Sequence, residues 1–273
     1  MSVQAALAEA AAKLGPVSDT PRLDAELIMA HALGIERDHL LLDTTRLAVP
    51  AGFAALVERR MAHEPVAYIV GHRDFWSVRI AVGQGVLIPR PDSETLIEAA
   101  LAHFGKRGPK TILDLGTGPG SLLIAALDEW PEAHGLGVDV SEVALDYAQA
   151  NAAQLTKPER ASFRAGDWLA GITGPYDLIL ANPPYIEEGS VLEPQVAEYE
   201  PAGALFAGAD GLDDYRRILP ALHPLIAKDG IAVIEIGWRQ REAVTALAEE
   251  CGLAVQCLRD LGGRDRALVC RPA

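Results

Sequence analysis

Two stretches of this chain hold residue types that can do chemistry. The first, Asn182-Pro183-Pro184-Tyr185, follows directly on Tyr176-Asp177-Leu178-Ile179-Leu180-Ala181, an apolar run whose length and composition suit a buried parallel strand. Two prolines in a row stop such a strand and fix the backbone. The Asn182 carboxamide and the carbonyls after it are thereby held at a strand's carboxyl end, where open α/β sheets bind ligands. A pre-set cluster of acceptors followed by an aromatic ring suits a planar NH2 group and its flat support. Taken alone the four residues also read as a proline-rich turn, so their surroundings decide.

The second stretch is Leu113-Asp114-Leu115-Gly116-Thr117-Gly118-Pro119-Gly120, a strand-to-helix junction with three glycines. Backbone without Cβ atoms can approach a ligand closely at a helix N-terminus. Asp139, about 20 positions further on at the end of the next expected strand, is placed to accept hydrogen bonds from a ribose. Together they imply a nucleotide-containing ligand. Asp114, just before the glycines, and the pair Asp167-Trp168 favour S-adenosylmethionine over a dinucleotide. A carboxylate at 114 serves the methionine end, directly or by fixing the loop, while Asp167 and Trp168 suit an adenine amine and an adenine face. Trp168 by itself is equally well explained by core packing.

The elements needed to position these residues can be read from the pattern. Residues 3–14, 20–33, 37–42 and 51–62 read as helices, which makes a small N-terminal bundle. Residues 68–71 and 75–82 alternate like hairpin strands and connect the bundle to the remainder. Strands are expected at 111–115, 135–138, 162–165, 176–181 and 231–236, with helices between them and two late strands at 254–258 and 267–271. Such alternation is the pattern of a doubly wound parallel α/β sheet. The expected division is 1–64 helical, 65–84 hairpin connector and 85–273 ligand-binding domain.

Composition removes several classes of function. A chain of 273 residues with 49% apolar and 23% charged residues is ordinary for a globular protein, and no run nears the ~20 apolar residues that span a bilayer. The first residues lack a basic region before an apolar one, so no signal peptide is expected and the cytoplasm is the default. A net charge of −14 argues against a partner held through phosphates, because Lys and Arg supply that affinity. The three cysteines, Cys251, Cys257 and Cys270, have no CxxC spacing and read as free thiols. None of the seven histidines sits in a metal-binding pattern, and no metal is expected.

Through Asp114-Leu115-Gly116-Thr117-Gly118-Pro119-Gly120, Asp139 and Asn182-Pro183-Pro184-Tyr185 the chain resembles the class I S-adenosylmethionine-dependent methyltransferases, and among them those that methylate an exocyclic or amide NH2. Val86-Leu87-Ile88-Pro89-Arg90-Pro91-Asp92-Ser93-Glu94-Thr95-Leu96 and Leu261-Gly262-Gly263-Arg264-Asp265-Arg266 narrow this to a resemblance to the HemK/PrmC family of protein-(glutamine-N5) methyltransferases, over almost the whole chain. Ser93 stands where threonine is common in that family, which keeps the hydroxyl.

The resemblance implies a Rossmann-like, mostly parallel sheet with an antiparallel strand near the C-terminus, and a helical first domain that reads the substrate. It also implies S-adenosylmethionine as methyl donor and the glutamine of the Gly-Gly-Gln motif of peptide chain release factors as acceptor. By that resemblance Asp114, Gly116, Thr117, Gly118, Pro119 and Gly120 lie at the methionine end, Asp139 at the ribose, and Asp167 and Trp168 at the adenine. Asn182 touches both cofactor and substrate, and Pro183, Pro184 and Tyr185 hold the glutamine, with Asn182, Pro183 and Tyr185 as the catalytic set. Arg90, with Glu94 one turn later, ties the connector to the wall of the site. A monomer is expected. The alternative carried forward is an N-methyltransferase acting on an exocyclic amine of RNA or DNA, with a flipped base in place of the glutamine.

Overall fold

The computed structural model describes residues 2–42, 44 and 46–273, which form two compact units. One comprises residues 2–72 with Leu192–Glu200, the other Arg73–Val191 with Pro201–Ala273.

In the first unit the chain runs through α1 (Val3–Leu14), α2 (Pro21–Leu33), α3 (Arg37–Leu42), α4 (Phe53–Met61) and α5 (Val66–Val70). Ser2 caps α1 by accepting the Ala5 N–H at 3.2 Å. Gly34 ends α2 with φ 66°, a left-handed conformation that favours glycine. Val3, Leu7 and Leu14 of α1 and Ala25, Ile28 and Met29 of α2 are fully buried, at the three-, four- and seven-residue spacings that gather apolar residues on one helical face. A charged pair lies inside this unit: Arg60 Nε donates to Asp24 Oδ2 at 2.8 Å and its Nη2 to the Val17 carbonyl at 3.1 Å.

The expected strand over 68–71 is a helix instead. Its residues carry strand propensity, but that preference is weak and one packed helical face overrides it: Ile69 joins the core of the helical unit, and Gly71 closes α5 with φ 83°. The hairpin is therefore shorter than the sequence suggests, β1 (His72–Phe75) and β2 (Val78–Ala81). The expected strand 75–82 is broken because Trp76 takes φ 53° in the turn and donates its backbone N–H to Glu94 Oε1 at 2.9 Å.

The second unit continues with α6 (Glu94–Phe104), β3 (Thr111–Leu115), α7 (Ser121–Glu129), β4 (His134–Asp139), α8 (Glu142–Leu155), β5 (Ala161–Ala165) and β6 (Tyr176–Ala181). The chain then makes the excursion Leu192–Glu200, which contains α9 (Pro194–Ala197) and belongs to the helical unit. It returns for α10 (Asp213–Leu222), β7 (Ile226–Glu235), α11 (Arg241–Glu250), β8 (Leu253–Arg259) and β9 (Asp265–Pro272). Among the described residues the main sheet has seven strands in the order β5-β4-β3-β6-β7-β9-β8. β9 runs antiparallel to both neighbours and the other pairings are parallel, as the sequence leads one to expect. Ile112, Leu113, Leu178 and Leu180 are fully buried, which explains why β3 and β6 read as continuous apolar runs rather than alternating ones. The strand order reverses between β3 and β6, where Leu115 lies opposite Ala181. A crevice at the carboxyl ends of these two strands follows from that reversal.

Removing one member of a buried ion pair leaves the other charged and unpaired. Arg60→Ala is expected to lower the stability of the helical unit by about 3 kcal/mol, read as a fall in the midpoint of denaturant unfolding.

Candidate active site

The glycine loop leaves β3 and is held by the neighbouring strand. Gly116 and Thr117 both donate backbone N–H groups to the Val138 carbonyl, at 2.8 and 3.0 Å. The Asp139 carboxylate, one residue on, accepts from Gly118 N at 2.8 Å and from Ser141 N at 2.9 Å. Asp139 thus shapes the loop as well as lining the cavity beside it. Asn151 of α8 supports the loop from behind: its Nδ2 donates to the carbonyls of Pro119 at 2.9 Å and Ala81 at 3.1 Å, and its Oδ1 accepts the Ala81 N–H at 2.9 Å. Asp114 is buried beneath, with Oδ2 accepting the Thr117 hydroxyl at 2.6 Å. Burial pushes its carboxyl up to about 7, against the pull of that hydroxyl.

Trp168 forms the opposite wall. Its ring lies over Gly116, where an added Cβ would come within 3.0 Å of it, so the loop accepts no side chain at that position. The residue itself takes φ 50°, uncommon for anything but glycine. Two residues that drew no attention in the sequence hold this wall. Asp214 Oδ1 accepts the indole N–H at 2.9 Å, and Arg217 pairs with both Asp214 and the Asp167 carboxylate. The Asp167 carboxylate, expected to face an adenine amine, is therefore engaged by a guanidinium, although the residue borders the cavity.

The tetrapeptide after β6 is tied to a buried carboxylate. Asn182 Nδ2 donates to Ser93 Oγ at 3.1 Å, and Ser93 Oγ donates to Glu235 Oε2 at 2.5 Å. The Tyr185 hydroxyl donates to Glu235 Oε1 at 3.3 Å, while the Tyr185 carbonyl accepts from Gln240 Nε2 at 3.0 Å. Glu235 is 1% exposed, and burial raises its carboxyl to about 7 against the Ser93 hydrogen bond and the nearby Arg266. The Tyr185 phenol is likewise pushed up, by burial first and by Glu235 second. A lone glutamate closing the apolar run Ile231-Ala232-Val233-Ile234 was the signal by which sequence reading could have found Glu235, since an unpaired carboxylate is rare in a buried strand.

These parts enclose a cavity of about 290 Å³, bordered by Gly116, Thr117, Gly118 and Pro119, by Asp139, by Asp167 and Trp168, and by Asn182 and Pro184. Of the remaining sequence candidates, Asp114, Gly120, Pro183 and Tyr185 do not border it. Val86, Leu87, Leu122 and Val140 make much of the wall apolar, and Arg90 and Ser93 border it too. The lining suits S-adenosylmethionine. A carboxylate with two N–H partners keeps acceptor capacity for a ribose diol, an aromatic ring offers a face for adenine, and at Gly118 a Cβ would meet nothing within 4 Å, so the loop is open toward a ligand. Among the described residues no cluster of His, Cys, Asp or Glu is arranged to hold a metal ion, and no helix is long and apolar enough to cross a membrane.

A mostly parallel seven-stranded sheet with a glycine loop, an acidic residue at the end of the second strand and a cavity at the strand-order reversal defines a class I methyltransferase. The fold is shared with the T. thermophilus 16S rRNA N2 G1207 methyltransferase solved with AdoMet and guanosine, at a TM-score of 0.53 and 19% identity over 74% of this chain and 50% of that one. A methyltransferase from Pyrococcus furiosus superposes with a TM-score of 0.51 and 17% identity over 70% and 87% of the two chains. Residues 5–71 match the PrmC N-terminal domain and residues 92–201 the methyltransferase small domain. The chain is 43% identical to the release factor glutamine methyltransferase of Rhodospirillum rubrum, over 93% of this chain and 79% of that protein. It is also 43% identical to that of Cereibacter sphaeroides, over 93% and 92% of the two chains. For that of Caulobacter vibrioides the figures are 38%, 92% and 89%. This chain belongs to the release factor glutamine methyltransferase family.

The buried Asp114 carboxyl has a measurable consequence. Its folded value near 7 lies above the unfolded one, so the folded state keeps a proton that the unfolded state loses, and stability falls as pH rises from about 4 to 7. Asn at this position has no proton to lose. The stability of Asp114→Asn relative to the parent chain is therefore expected to grow across that window, measured as the difference between their denaturant midpoints at pH 4.5 and pH 7.5.

Proposed function

We propose that this chain transfers a methyl group from S-adenosylmethionine to the side-chain amide nitrogen of the glutamine in the Gly-Gly-Gln motif of peptide chain release factors. The observation that carries the reading is the Asn182 carboxamide bordering the cavity beside the glycine loop, with its Nδ2 tied to Ser93. Membership in a family whose named members are release factor glutamine methyltransferases supports the acceptor. In this reading the helical unit, expected at 1–64 and reaching residue 72 with Leu192–Glu200 added, reads the release factor, the hairpin β1–β2 connects, and the rest of the expected 85–273 holds the cofactor. The protein works as a monomer in the cytoplasm.

The residues that hold the cofactor are Asp139 for the ribose hydroxyls, Trp168 for the adenine face, and the Gly116, Thr117 and Gly118 backbone with Pro119 and Asn182 for the methionine part. Asp114 and Gly120 act through the shape of the loop, and Asp167 through its place beside Trp168. Bound there, S-adenosylmethionine supplies a methyl group made electrophilic by its sulfonium.

The chain's own task is to localise a poor nucleophile. An amide nitrogen shares its lone pair with the carbonyl, the resonance that also flattens the peptide bond. In this reading Asn182 Oδ1, on the cavity wall, accepts one N–H of the glutamine, and the Pro183 carbonyl, which lies off the cavity, accepts the other only once the substrate is seated against the turn, which directs the free face of the nitrogen toward the cofactor. Pro184 stiffens this turn, and Tyr185, which does not border the cavity, anchors its far end through Glu235. No strong base is required before methyl transfer, because the methylated amide can lose its proton afterwards to water. Orientation accounts for most of the rate, since effective molarities of ~10⁵ M or more are attained by positioning alone. The net charge of −14 favours a protein acceptor over a nucleic acid.

Purified release factor incubated with labelled cofactor is expected to gain one methyl group on the motif glutamine, and its Gly-Gly-Gln→Gly-Gly-Ala variant none. Equal labelling of the two refutes the acceptor. Asn182→Ala is expected to lower kcat on the order of 10²-fold, with cofactor affinity by calorimetry changed little.

A further inference from the structure

The Asn182 carboxamide can work as described only in one of its two flips, with oxygen toward the cavity and nitrogen away from it. The two orientations have nearly the same shape, so packing does not choose between them and the hydrogen bonds must. The choice begins at Glu235. Its carboxylate lies at the carboxyl end of β7, 1% exposed, with Ser93 Oγ at 2.5 Å from Oε2 and Tyr185 Oη at 3.3 Å from Oε1. Arg266, the cation nearest in charge, spends its donors on Asp260 Oδ2 at 3.1 Å, Asp92 Oδ2 at 3.0 Å and the Ile236 carbonyl at 3.4 Å. Among the described residues, the groups that donate to the Glu235 carboxylate are the two hydroxyls.

The consequence runs outward along the chain of bonds. A hydroxyl has one proton. When Glu235 is ionised its Oε2 takes that proton, so Ser93 Oγ faces Asn182 only as an acceptor, at 3.1 Å, and an acceptor selects the Nδ2 side of the amide. Oδ1 is then the atom presented to a substrate N–H. The other carboxylate oxygen holds the phenol of Tyr185 at the far end of the same tetrapeptide. We propose that Glu235 is the positioning residue of this site: by accepting from Ser93 and Tyr185 at once, it sets the polarity of Asn182 and makes the cavity select an NH2 donor over an acceptor group. This rests on the reading of Asn182 as the acceptor for the substrate amide.

A carboxylate can accept from both hydroxyls, whereas a carboxamide can accept from one and must donate to the other. Glu235→Gln keeps shape and volume but reverses one of the two anchors whichever way it turns. Ser93→Ala removes the acceptor that holds Asn182 Nδ2, and Ser93→Thr keeps it.

The experiment measures kcat and KM for release factor methylation, with S-adenosylmethionine affinity by calorimetry, for Asn182→Ala, Ser93→Ala, Ser93→Thr, Glu235→Gln and the Ser93→Ala/Glu235→Gln double variant. Ser93→Ala and Glu235→Gln are expected to lose kcat by roughly 10- to 100-fold with KM and cofactor affinity within about 3-fold. The double variant should fall no further than the weaker single one, because both act through the same amide. Ser93→Thr should regain kcat to within a few-fold of the parent, a recovery that loss of a structural contact alone does not predict. The proposal is overturned if Ser93→Ala and Glu235→Gln keep kcat within about 2-fold while Asn182→Ala loses it. If Asn182→Ala itself keeps turnover, the underlying reading of the tetrapeptide fails instead. Should Glu235→Gln not fold, as judged by loss of cooperative unfolding, the Ser93→Ala and Ser93→Thr pair decides: equal kcat for the two refutes the proposal, and loss restored by threonine upholds it.

Discussion

The parallel pairing of β3 with β6, Leu115 opposite Ala181, brings together two chain segments that are far apart in sequence. β3 hands the chain to the glycine loop and β6 hands it to Asn182-Pro183-Pro184-Tyr185, so both chemical stretches emerge side by side at the carboxyl ends of two central strands. Connections from these strands leave in opposite directions, toward β4 and β5 on one side and toward β7, β9 and β8 on the other. The gap between them is therefore not covered by a crossover helix. Loops filling that gap can vary in composition without disturbing the strands, because apart from Asp114 the buried side chains of β3 and β6 are apolar and have no part in the site.

The site is assembled at a cost in stability. Asp114 and Glu235 are almost completely inaccessible, and burial is the largest of the causes that leave both carboxyls raised to about 7. Hydroxyl donors from Thr117, Ser93 and Tyr185 offset part of that burial cost, but neither carboxylate has a dedicated arginine. The Asp24–Arg60 pair in the helical unit is different, since each of those charges has its counter-charge within 2.8 Å. Carboxylates kept without one, directly beneath a binding loop and directly beneath an acceptor tetrapeptide, mark places where geometry has been favoured over folding energy.

Much of this was legible in the sequence, and the reasons it was legible are local. The glycine loop, Asp139 and the tetrapeptide lie where strands end, and strand ends can be read from apolar runs followed by Gly or Pro. Residues 68–71 were misread as a strand because Tyr68, Ile69 and Val70 favour strands individually, while the packing that folds them into α5 comes from residues distant in sequence. The turn at Trp76 had no glycine or asparagine to announce it. Asp214, Arg217, Ser93 and Glu235 were missed as partners for a different reason. Each acts on a residue more than 40 positions away, and no spacing rule relates a hydroxyl in one segment to a carboxylate at the end of β7.

Asn151 gives the hairpin a standing that its place between the helical segment and the sheet does not suggest. One carboxamide on α8 grips the backbone of Ala81 at both its N–H and its carbonyl, and with its remaining hydrogen grips the Pro119 carbonyl in the glycine loop. The second strand of the hairpin and the ligand loop are therefore in register with one another through a single side chain. A linker between modules ordinarily tolerates insertions and deletions, as exposed loops do. Here a change of one residue in length between β2 and the next helix shifts the bonded position at Ala81, and the disturbance reaches the ligand loop through Asn151. The hairpin is a spacer of fixed length, and a chimaera that grafts another helical module onto this methyltransferase must be joined ahead of it.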